Sequence, residues 1–251
     1  MSNNIAQLIH YLDPTVVLPD NLAEQRLLLR ALMNIRPPQA ETAAFWQWQD
    51  EILQQQLAEK GIVSLADLTP IEPNIYLWQG DITRLKVGAI VNAANSQLLG
   101  CFQPLHRCID NAIHSQAGLQ LRHACAELMQ RQGHLEPTGQ AKITPAYNLP
   151  SDYVIHTVGP IIQGELTEQD CKLLAQCYRL CLELAVENGI QSIAFCCIST
   201  GEFRFPNQAA AEIAVREVRR FLSYNPSIKV IFNVFKDIDL AIYQDLLGEQ
   251  K

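Results

Sequence analysis

A chain of 251 residues is long enough for one large domain, or for one domain with a substantial extension. Hydrophobic residues make up 48% and charged residues 18%, which favours a folded core over a disordered chain. The formal charge is −7 and no dense run of Lys and Arg occurs, which disfavours binding to duplex nucleic acid. No apolar segment approaches the roughly 18 residues of a membrane span, and the first residues lack the pattern of a signal peptide. We therefore expect a cytoplasmic protein without a nucleic-acid or membrane partner.

The first 70 residues have the pattern of a helical extension. Helices are predicted over residues 4–12, 20–35 and 39–60, with breaks at the sequence PPQA and at Gly61. Trp46 and Trp48 lie on the third of these helices, where tryptophan is more often buried than exposed to a partner. We predict that residues 1–70 form a helical extension that packs on the rest of the chain.

From residue 71 the pattern changes to short β-rich runs separated by helical ones. The predicted strands are NIYLWQ, GAIVNA, KITPAY, YVIHTV, SIAFCCI and KVIFNVF, and the predicted helices cover residues 107–132, 167–188, 206–223 and 236–247. This alternation predicts an α/β domain over residues 71–251, with a mostly parallel or mixed sheet and helices on both faces. Ligands bind such sheets at the carboxyl ends of the strands. The loops GDIT, NAANSQLLGCF and STGEFRFP are therefore the expected site.

The segment STGEFRFPNQAA is a small-residue turn that leads into a helix near Pro206. Small residues let backbone N–H groups approach an anion closely, and a helix N-terminus favours negative charge. A pyrophosphate site is one interpretation, and an ordinary loop before a capped helix is the other. No Gly-Lys-Ser/Thr follows, so this is not a Walker loop, and Ser199 is not flanked as in a nucleophile elbow.

Three polar residues in the other two loops have side chains suited to a nucleotide sugar or base. Asn92 and Asn95, just past a predicted strand, offer donors and acceptors that match sugar hydroxyls. Asp81 could accept a hydrogen bond from an exocyclic amine or cap a short turn. The simpler alternative for all three is that Asn and Asp are common turn residues.

The eight cysteines are expected to be thiols or metal ligands rather than disulfides. Cys177 and Cys181 follow a helical period, and Cys196 and Cys197 lie in a predicted buried strand. We interpret these four as core residues. Cys125 is predicted to lie on a helix.

Only Cys101 and Cys108 lie in a segment with loop signals, and His106 stands between them. Residues i and i+2 do not share a helix face, so His106 and Cys108 converge only if this backbone is looped. Thiolate and imidazole ligands favour zinc. Three protein ligands with an open position are typical of a catalytic site, whereas a fourth ligand would indicate a structural one. The candidates for a fourth ligand are His114, His123 and Cys125.

Asp110 and His114 follow at i and i+4 and share one face if a helix begins near Ile109. A carboxylate at Asp110 could accept a proton from a water or a ribose hydroxyl. The alternative is that Asp110 caps the helix. We expect His114 to be a packed core histidine.

Together these loops resemble the macrodomain, the α/β fold that binds ADP-ribose. The similar segments follow in order over roughly residues 74–235: GDITRLKVGAIVNAANSQLLG, CIDNAIHSQAG, GQAKITPAYNLPSDYVIHTVGP and CISTGEFRFP. The zinc-containing branch of the family is the most similar. Its members carry a Cys/His/Cys insertion where other macrodomains have a glycine-rich loop, and a helical extension with a stretch like FWQWQDEILQ…KGIV. The resemblance implies a macrodomain-type mixed central sheet with helices on both faces, plus an N-terminal helical extension.

The resemblance also implies an activity, a cofactor and a role for individual residues. The activity is zinc-dependent hydrolysis of mono-ADP-ribose from modified protein side chains, and a carboxylate linkage is expected by family analogy alone. Asp81 and Ile82 match residues at the adenine, and Asn92, Asn95 and Asp110 match residues around the distal ribose. The pyrophosphate loop corresponds to Ser199, Thr200, Gly201, Glu202 and Phe203, with Phe203 also beside the distal ribose. The zinc ligands correspond to Cys101, His106 and Cys108.

Two departures from the family pattern affect the site. Arg204 and Phe205 stand where many macrodomains have Gly-Tyr, which implies a differently charged outer rim. The absent glycine run implies that the zinc loop makes contacts that the glycine loop makes elsewhere.

Three alternatives to a zinc-dependent hydrolase remain: a reader that binds ADP-ribose without cleavage, a deacetylase of O-acetyl-ADP-ribose, and a zinc ion that only pins the loop. We expect a monomer whose partner is ADP-ribose or a mono-ADP-ribosylated protein.

Overall fold

The computed structural model describes residues 2–248, with side chains from residue 4 onward. The helices in this range are α1 (Ser2–Leu12), α2 (Leu22–Ile35), α3 (Ala43–Lys60), α4 (Ile109–Ala117), α5 (Leu119–Gln132), α6 (Glu168–Glu187), α7 (Asn207–Leu222) and α8 (Asp237–Gly248). The strands are β1 (Val63–Ser64), β2 (Pro70–Glu72), β3 (Ile75–Gln79), β4 (Leu85–Lys86), β5 (Ala89–Ala93), β6 (Ala141–Pro145), β7 (Tyr153–Thr157), β8 (Ser192–Phe195) and β9 (Lys229–Val234). Short 3₁₀ turns cover Leu65–Asp67 and Ile82–Arg84.

A seven-stranded sheet in the order β2-β3-β9-β8-β5-β7-β6 forms the centre of the molecule. Strands β3, β9, β8, β5 and β7 are parallel to their neighbours, and β2 and β6 pair antiparallel at the two edges. The inner strands are continuous apolar runs such as Ile90-Val91 and Val230-Ile231, which are fully buried because helices flank the sheet. The predicted α/β fold with a mixed central sheet and flanking helices is confirmed.

The structure corrects two predicted elements and adds three short strands. The helix predicted over residues 107–132 is two helices, separated at Gly118, whose φ of 93° suits glycine and breaks the helical path. The strand predicted as SIAFCCI ends at Phe195, so Cys196 and Cys197 lie beyond it. Strands β1, β2 and β4 carry no clear sequence period, because two or three residues are too few to show one.

Helices α1, α2 and α3 pack around a hydrophobic cluster of their own. Its buried members include Leu8, Leu29 and Phe45, and Leu119 from the start of α5 completes it. Trp46 and Trp48 pack against the cluster as partly buried residues. β1 also pairs with β4, so the segment before residue 70 is joined to the later chain by a small parallel ladder. The extension therefore packs on the α/β part, while its exact boundary at residue 70 stays a prediction.

The main core lies on the sheet and includes Cys177, Cys181 and Cys196, which confirms three of the four cysteines interpreted as core residues. Cys197 is only partly buried against the same core. Cys125 lies on α5, as predicted, and is buried. Over residues 2–248, no helix combines the length and the apolar character needed to cross a membrane.

Candidate active site

The loops that follow β5, β7 and β8 meet at the carboxyl-terminal ends of the parallel strands. The Ala94 N–H donates to the Thr157 carbonyl (2.9 Å), and the Ile162 N–H donates to the Phe203 carbonyl (2.8 Å). His106 Nε2 lies 3.6 Å from Glu202 Oε1, so the loop after β5 also reaches the loop after β8. The strands are parallel, so their carboxyl ends lie side by side and the loops that follow them come together.

Asp110 lies in the first turn of α4, and both of its carboxylate oxygens accept hydrogen bonds, one from β5 and one from the loop after β5. Asn92 Nδ2 donates to Oδ1 (2.8 Å), and Asn95 Nδ2 donates to Oδ2 (3.2 Å). The residue is 6% exposed. Burial raises the pKa of the Asp110 carboxyl to about 6, against the lowering effects of the Asn92 hydrogen bond and the Arg122 charge. The site thus holds one oriented carboxylate.

Asn92 does not lie past a strand end, as the sequence suggested, but within β5, opposite His156 on β7. It is fully buried, and its Nδ2 lies 3.2 Å from His156 Nδ1 as well as near Asp110. Its Oδ1 has no hydrogen-bond partner among the described residues. Asn92 therefore orients Asp110 from inside the sheet. Asn95, which is only partly buried, also donates to the Gly100 carbonyl (3.1 Å).

Asp110 is inside α4 and does not cap it, because Cys108 occupies the N-cap position and its Sγ accepts from the Asn111 N–H at 3.4 Å. His114 is buried, with Nε2 3.5 Å from Asp110 Oδ1 but without hydrogen-bond geometry. A Cβ at Gly100 would lie 2.8 Å from the His114 ring, so this glycine permits the close packing. The expectation of a packed core histidine is confirmed.

The structure brings Cys101, His106 and Cys108 together in a loop without helix or strand. We call residues 99–108 the Cys/His/Cys loop. One Sγ or ring nitrogen from each of the three residues lies within 4.8 Å of the others, and Cys101 Sγ is 3.6 Å from His106 Nδ1. Zinc bonds of about 2.3 Å to sulfur and about 2.0 Å to nitrogen place two tetrahedral ligands roughly 3.5 Å apart. The donor set and its spacing therefore fit zinc.

None of the three sequence candidates for a fourth ligand joins this set. His114 and Cys125 form a separate buried group with His156, and His123 Nε2 faces Glu127 on the surface of α5 (3.5 Å). Among the described residues the loop therefore presents three candidate ligands.

Asp81 caps the 3₁₀ turn after β3, which was the simpler of its two interpretations. Its Oδ1 accepts from the Thr83 N–H (3.0 Å) and hydroxyl (2.6 Å). Its Oδ2 lies 3.6 Å from Lys60 Nζ and remains partly exposed. Ile82, the next residue, is buried in the core.

The loop after β8 is a turn in which four backbone amide groups have no acceptor among the described residues. The Phe205 N–H donates to the Ser199 carbonyl (2.9 Å) and the Arg204 N–H to the Gly201 carbonyl (3.0 Å), which closes the turn. The backbone N–H groups of Ser199, Gly201, Glu202 and Phe203 donate to no acceptor in the part of the chain that the structure describes. Such a nest of N–H groups suits an anion. Thr200 donates instead through its N–H and hydroxyl to the Cys197 carbonyl.

Of the two residues that depart from the family pattern, Arg204 is exposed and Phe205 is buried, so only Arg204 could change the charge of an outer rim.

Several residues at the site carried no clear sequence signal. Gly159 has no room for a side chain, because a Cβ there would lie 1.9 Å from Ser199 Oγ. His156 Nε2 is hydrogen-bonded to the Thr144 hydroxyl (2.9 Å), and His156 Nδ1 is hydrogen-bonded to Asn92 Nδ2. Arg122 is buried beneath the Cys/His/Cys loop. A histidine or an arginine inside an otherwise apolar run is the one hint that the sequence offers.

A cavity of about 610 Å³ lies elsewhere, between α2, α3 and the end of α4. Its lining includes four leucines together with Arg26, Arg30 and Lys60, and neither Asp110 nor residues 199–203 line it. It is therefore distinct from the site at the strand ends.

The Macro domain family model matches residues 91–214. A protein-ADP-ribose hydrolase from Treponema medium is 58% identical over 238 residues, which cover 93% of this chain and 91% of that protein. The chain belongs to the macrodomain family. This macrodomain is also 48% identical over 233 residues to a protein-ADP-ribose hydrolase from Staphylococcus aureus (strain MSSA476), covering 92% and 87% of the two chains.

Solved macrodomain structures have the same fold. The Trypanosoma brucei macrodomain in complex with ADP-ribose has a TM-score of 0.69 and 30% identity, covering 92% of this chain and 97% of that one. The Oceanobacillus iheyensis macrodomain with ADP has a TM-score of 0.66 and 39% identity, covering 72% and 94%.

Proposed function

We propose that this macrodomain is a zinc-dependent hydrolase that releases mono-ADP-ribose from modified protein side chains. One observation carries the proposal: an oriented carboxylate, a three-ligand Cys/His/Cys set and a loop with free amides lie together at the carboxyl-terminal ends of the strands. The name protein-ADP-ribose hydrolase, carried by the relatives from T. medium and S. aureus, supports the same activity. The match of the Cys/His/Cys loop to the zinc-containing branch is part of the proposal.

ADP-ribose would lie across the ends of β3, β5 and β8. Its pyrophosphate would accept hydrogen bonds from the free N–H groups at residue 199 and residues 201–203, in the manner of an anion nest. Its adenine would lie near Asp81 and Ile82, and its distal ribose near Asn95, Asp110 and Phe203. The bond to the modified side chain would then face the Cys/His/Cys loop.

Cys101, His106 and Cys108 would hold the zinc ion. When bound, zinc supplies a Lewis acid that makes an oxygen ligand more acidic. The Asp110 carboxylate accepts the proton of the attacking water or of a ribose hydroxyl, acting as a general base. Asn92 and Asn95 keep that carboxylate in one orientation, because each donates to a different oxygen. Addition of one water across the ester gives free ADP-ribose and the restored side-chain carboxyl group.

The test is ADP-ribose release from a protein that carries carboxylate-linked mono-ADP-ribose. Wild-type protein is assayed as isolated, after zinc removal, and after zinc is added back. We expect release to disappear on zinc removal and to return with zinc. We also expect Asp110→Asn to lower the rate by about 100-fold or more, with zinc content and melting temperature close to those of the wild type.

The other outcomes separate the alternatives. Release that is indifferent to zinc would contradict zinc dependence and make the three ligands structural. Tight binding of ADP-ribose without any release would identify a reader. Faster cleavage of O-acetyl-ADP-ribose than of the modified protein would identify a deacetylase.

A further inference from the structure

We propose that the end of helix α2 in the N-terminal extension positions the Cys/His/Cys loop, and that Asn34 is the chief positioning residue. The extension would then set the affinity of the loop for its metal, although it contributes no ligand. The identity of that metal rests on the proposed function above. The connection between α2 and the loop rests on the contacts described next.

Asn34 lies in the last turn of α2 and is 2% exposed. Its Oδ1 accepts a hydrogen bond from the Leu105 N–H (3.0 Å), and its Nδ2 donates to Ser115 Oγ on α4 (2.9 Å). Leu105 has a φ of 56°, which leucine seldom adopts, and 39% of it is exposed. Because packing does little to hold Leu105, the hydrogen bond to Asn34 fixes its backbone. The next residue is the ligand His106.

Arg122 ties the end of α2 to the start of the same loop. Its guanidinium donates to the carbonyls of Met33 and Asn34 (both 3.0 Å) and of Arg36 (2.5 Å). Through Nε it donates to the Leu99 carbonyl (2.8 Å), and it lies 4.3 Å from the centre of the Phe102 ring. One buried cation therefore satisfies the helix end and anchors the loop.

Arg30, one turn before Asn34, makes a third connection. Its Nη2 donates to Asn111 Oδ1 (2.8 Å) and lies 3.4 Å from the His106 carbonyl. Asn111 in turn donates to the Gln103 carbonyl (3.0 Å). These contacts hold the loop between its ligands.

The loop has little structure of its own to replace these contacts. Within the described Cys/His/Cys loop the one internal backbone hydrogen bond is that of the His106 N–H with the Gln103 carbonyl (3.3 Å). Ordering such a segment on metal binding costs conformational entropy, and contacts that order it beforehand increase affinity. The contacts from Arg30, Asn34 and the end of α2 order the loop in this way before the metal binds.

The test compares Asn34→Leu with Ser115→Ala in the full-length protein. Asn34→Leu keeps the branched shape and the number of side-chain heavy atoms and removes both hydrogen bonds. Ser115→Ala breaks the contact to α4, together with the hydrogen bond from Ser115 Oγ to Asn111 Oδ1 (3.2 Å), and leaves the contact to Leu105. We expect Asn34→Leu to weaken zinc binding by about 10-fold or more, measured by competition with a chromogenic chelator. We expect Ser115→Ala to bind zinc as the wild type does.

A second readout does not depend on zinc. Arg107 is exposed within the loop, so trypsin cleavage after it, followed by mass spectrometry in metal-free protein, reports how well the loop is ordered. We expect faster cleavage in Asn34→Leu than in the wild type or Ser115→Ala. If wild-type protein binds no zinc, the metal of the proposed function is wrong, and this cleavage alone decides the positioning role.

Two results would overturn the inference. One is a folded Asn34→Leu variant with wild-type zinc affinity and wild-type cleavage, and the other is an equal effect of Ser115→Ala. If Asn34→Leu does not fold, Arg30→Met is compared with Arg26→Met, whose arginine lies one turn earlier in an exposed pair with Glu59 (2.7 Å). Equal zinc affinity and equal cleavage in these two variants would also overturn it.

Discussion

Buried polar side chains at the strand ends each take their partners from a different element. Asp110 on α4 accepts from Asn92 on β5, and Asn92 in turn lies next to His156 on β7. In a medium with little water, a buried polar group is stabilised by hydrogen bonds, and a charged group must be paired or lose its charge. The contacts therefore fix the carboxylate in place, and burial, which lowers the pKa of His156, keeps the histidine uncharged.

The charge state of His156 leads to a prediction about stability. Burial lowers the pKa of His156 from 6.5 to about 4, so between these values the unfolded chain binds a proton that the folded chain does not. Stability should therefore fall as the pH drops through this window, by up to about 3 kcal/mol from this residue. Burial lowers the pKa of His114 as well, which acts in the same direction.

The measurement is the free energy of unfolding in urea at about pH 7.5 and about pH 5, for the wild type and His156→Gln. The variant should lose less stability on acidification than the wild type, whatever its stability at neutral pH. An equal loss in both proteins would show that His156 is not buried as a neutral group.

At the scale of the elements, the site depends on how closely the loops after β7 and β8 pack. Ser199 has a φ of 65° and its hydroxyl is buried against Gly159. Gly159 belongs to the loop after β7. In the same loop, the Ile162 N–H donates a hydrogen bond to the Phe203 carbonyl of the loop after β8. The two loops thus form one unit, and a change in one moves the amides of the other.

We expect Gly159→Ala to weaken ADP-ribose binding by about 10-fold, or about 1.4 kcal/mol. The new Cβ would lie 1.9 Å from Ser199 Oγ and 2.9 Å from Ile198, so the turn that carries the free amides has to shift. Isothermal titration with ADP-ribose measures the effect. The matched control is Gly164→Ala in the same connection, where a Cβ meets nothing within 4 Å and affinity should not change. Equal affinity in both variants would contradict a phosphate-binding role for this turn.

At the scale of the whole molecule, the N-terminal helices are a packed part of the protein. Their hydrophobic cluster is completed by Leu119, and the N–H of that residue donates to the buried Gln49 on α3 (2.8 Å). Arg122 contributes three further hydrogen bonds to the end of α2. Separation of the two parts would expose this apolar surface and leave buried carbonyls without a donor.

We therefore expect limited proteolysis of the native protein to leave the N-terminal helices attached. Mass spectrometry of a time course with trypsin should show no early fragment that starts between residues 61 and 70. Chymotrypsin, which cleaves at other residues, controls for the local accessibility of basic side chains. Rapid release of residues 1–70 with either protease would show that the extension is only loosely joined.

The order of the helices and strands could be predicted from the sequence, because periodicity and breakers are local properties. The loops of the candidate site could also be located, because the loops that follow parallel strands lie together at the carboxyl ends of those strands. The sequence allowed Cys101, His106 and Cys108 to converge, because Gly100 and Pro104 indicate a loop and His106 and Cys108 can meet only in such a backbone. The break at Gly118 was not, since one glycine inside a helical pattern does not show whether the helix continues.

The sequence by itself determined the fold class, the loops of the candidate site and the proposed Cys/His/Cys ligand set within one loop. Only the tertiary structure decided which distant residues support them: Asn34 meets Leu105 over a separation of 71 residues, and Arg122 reaches the Asn34 carbonyl over 88. The physical reason is that hydrophobic period and turn chemistry act between near neighbours, whereas the partner of a buried polar group is set by packing.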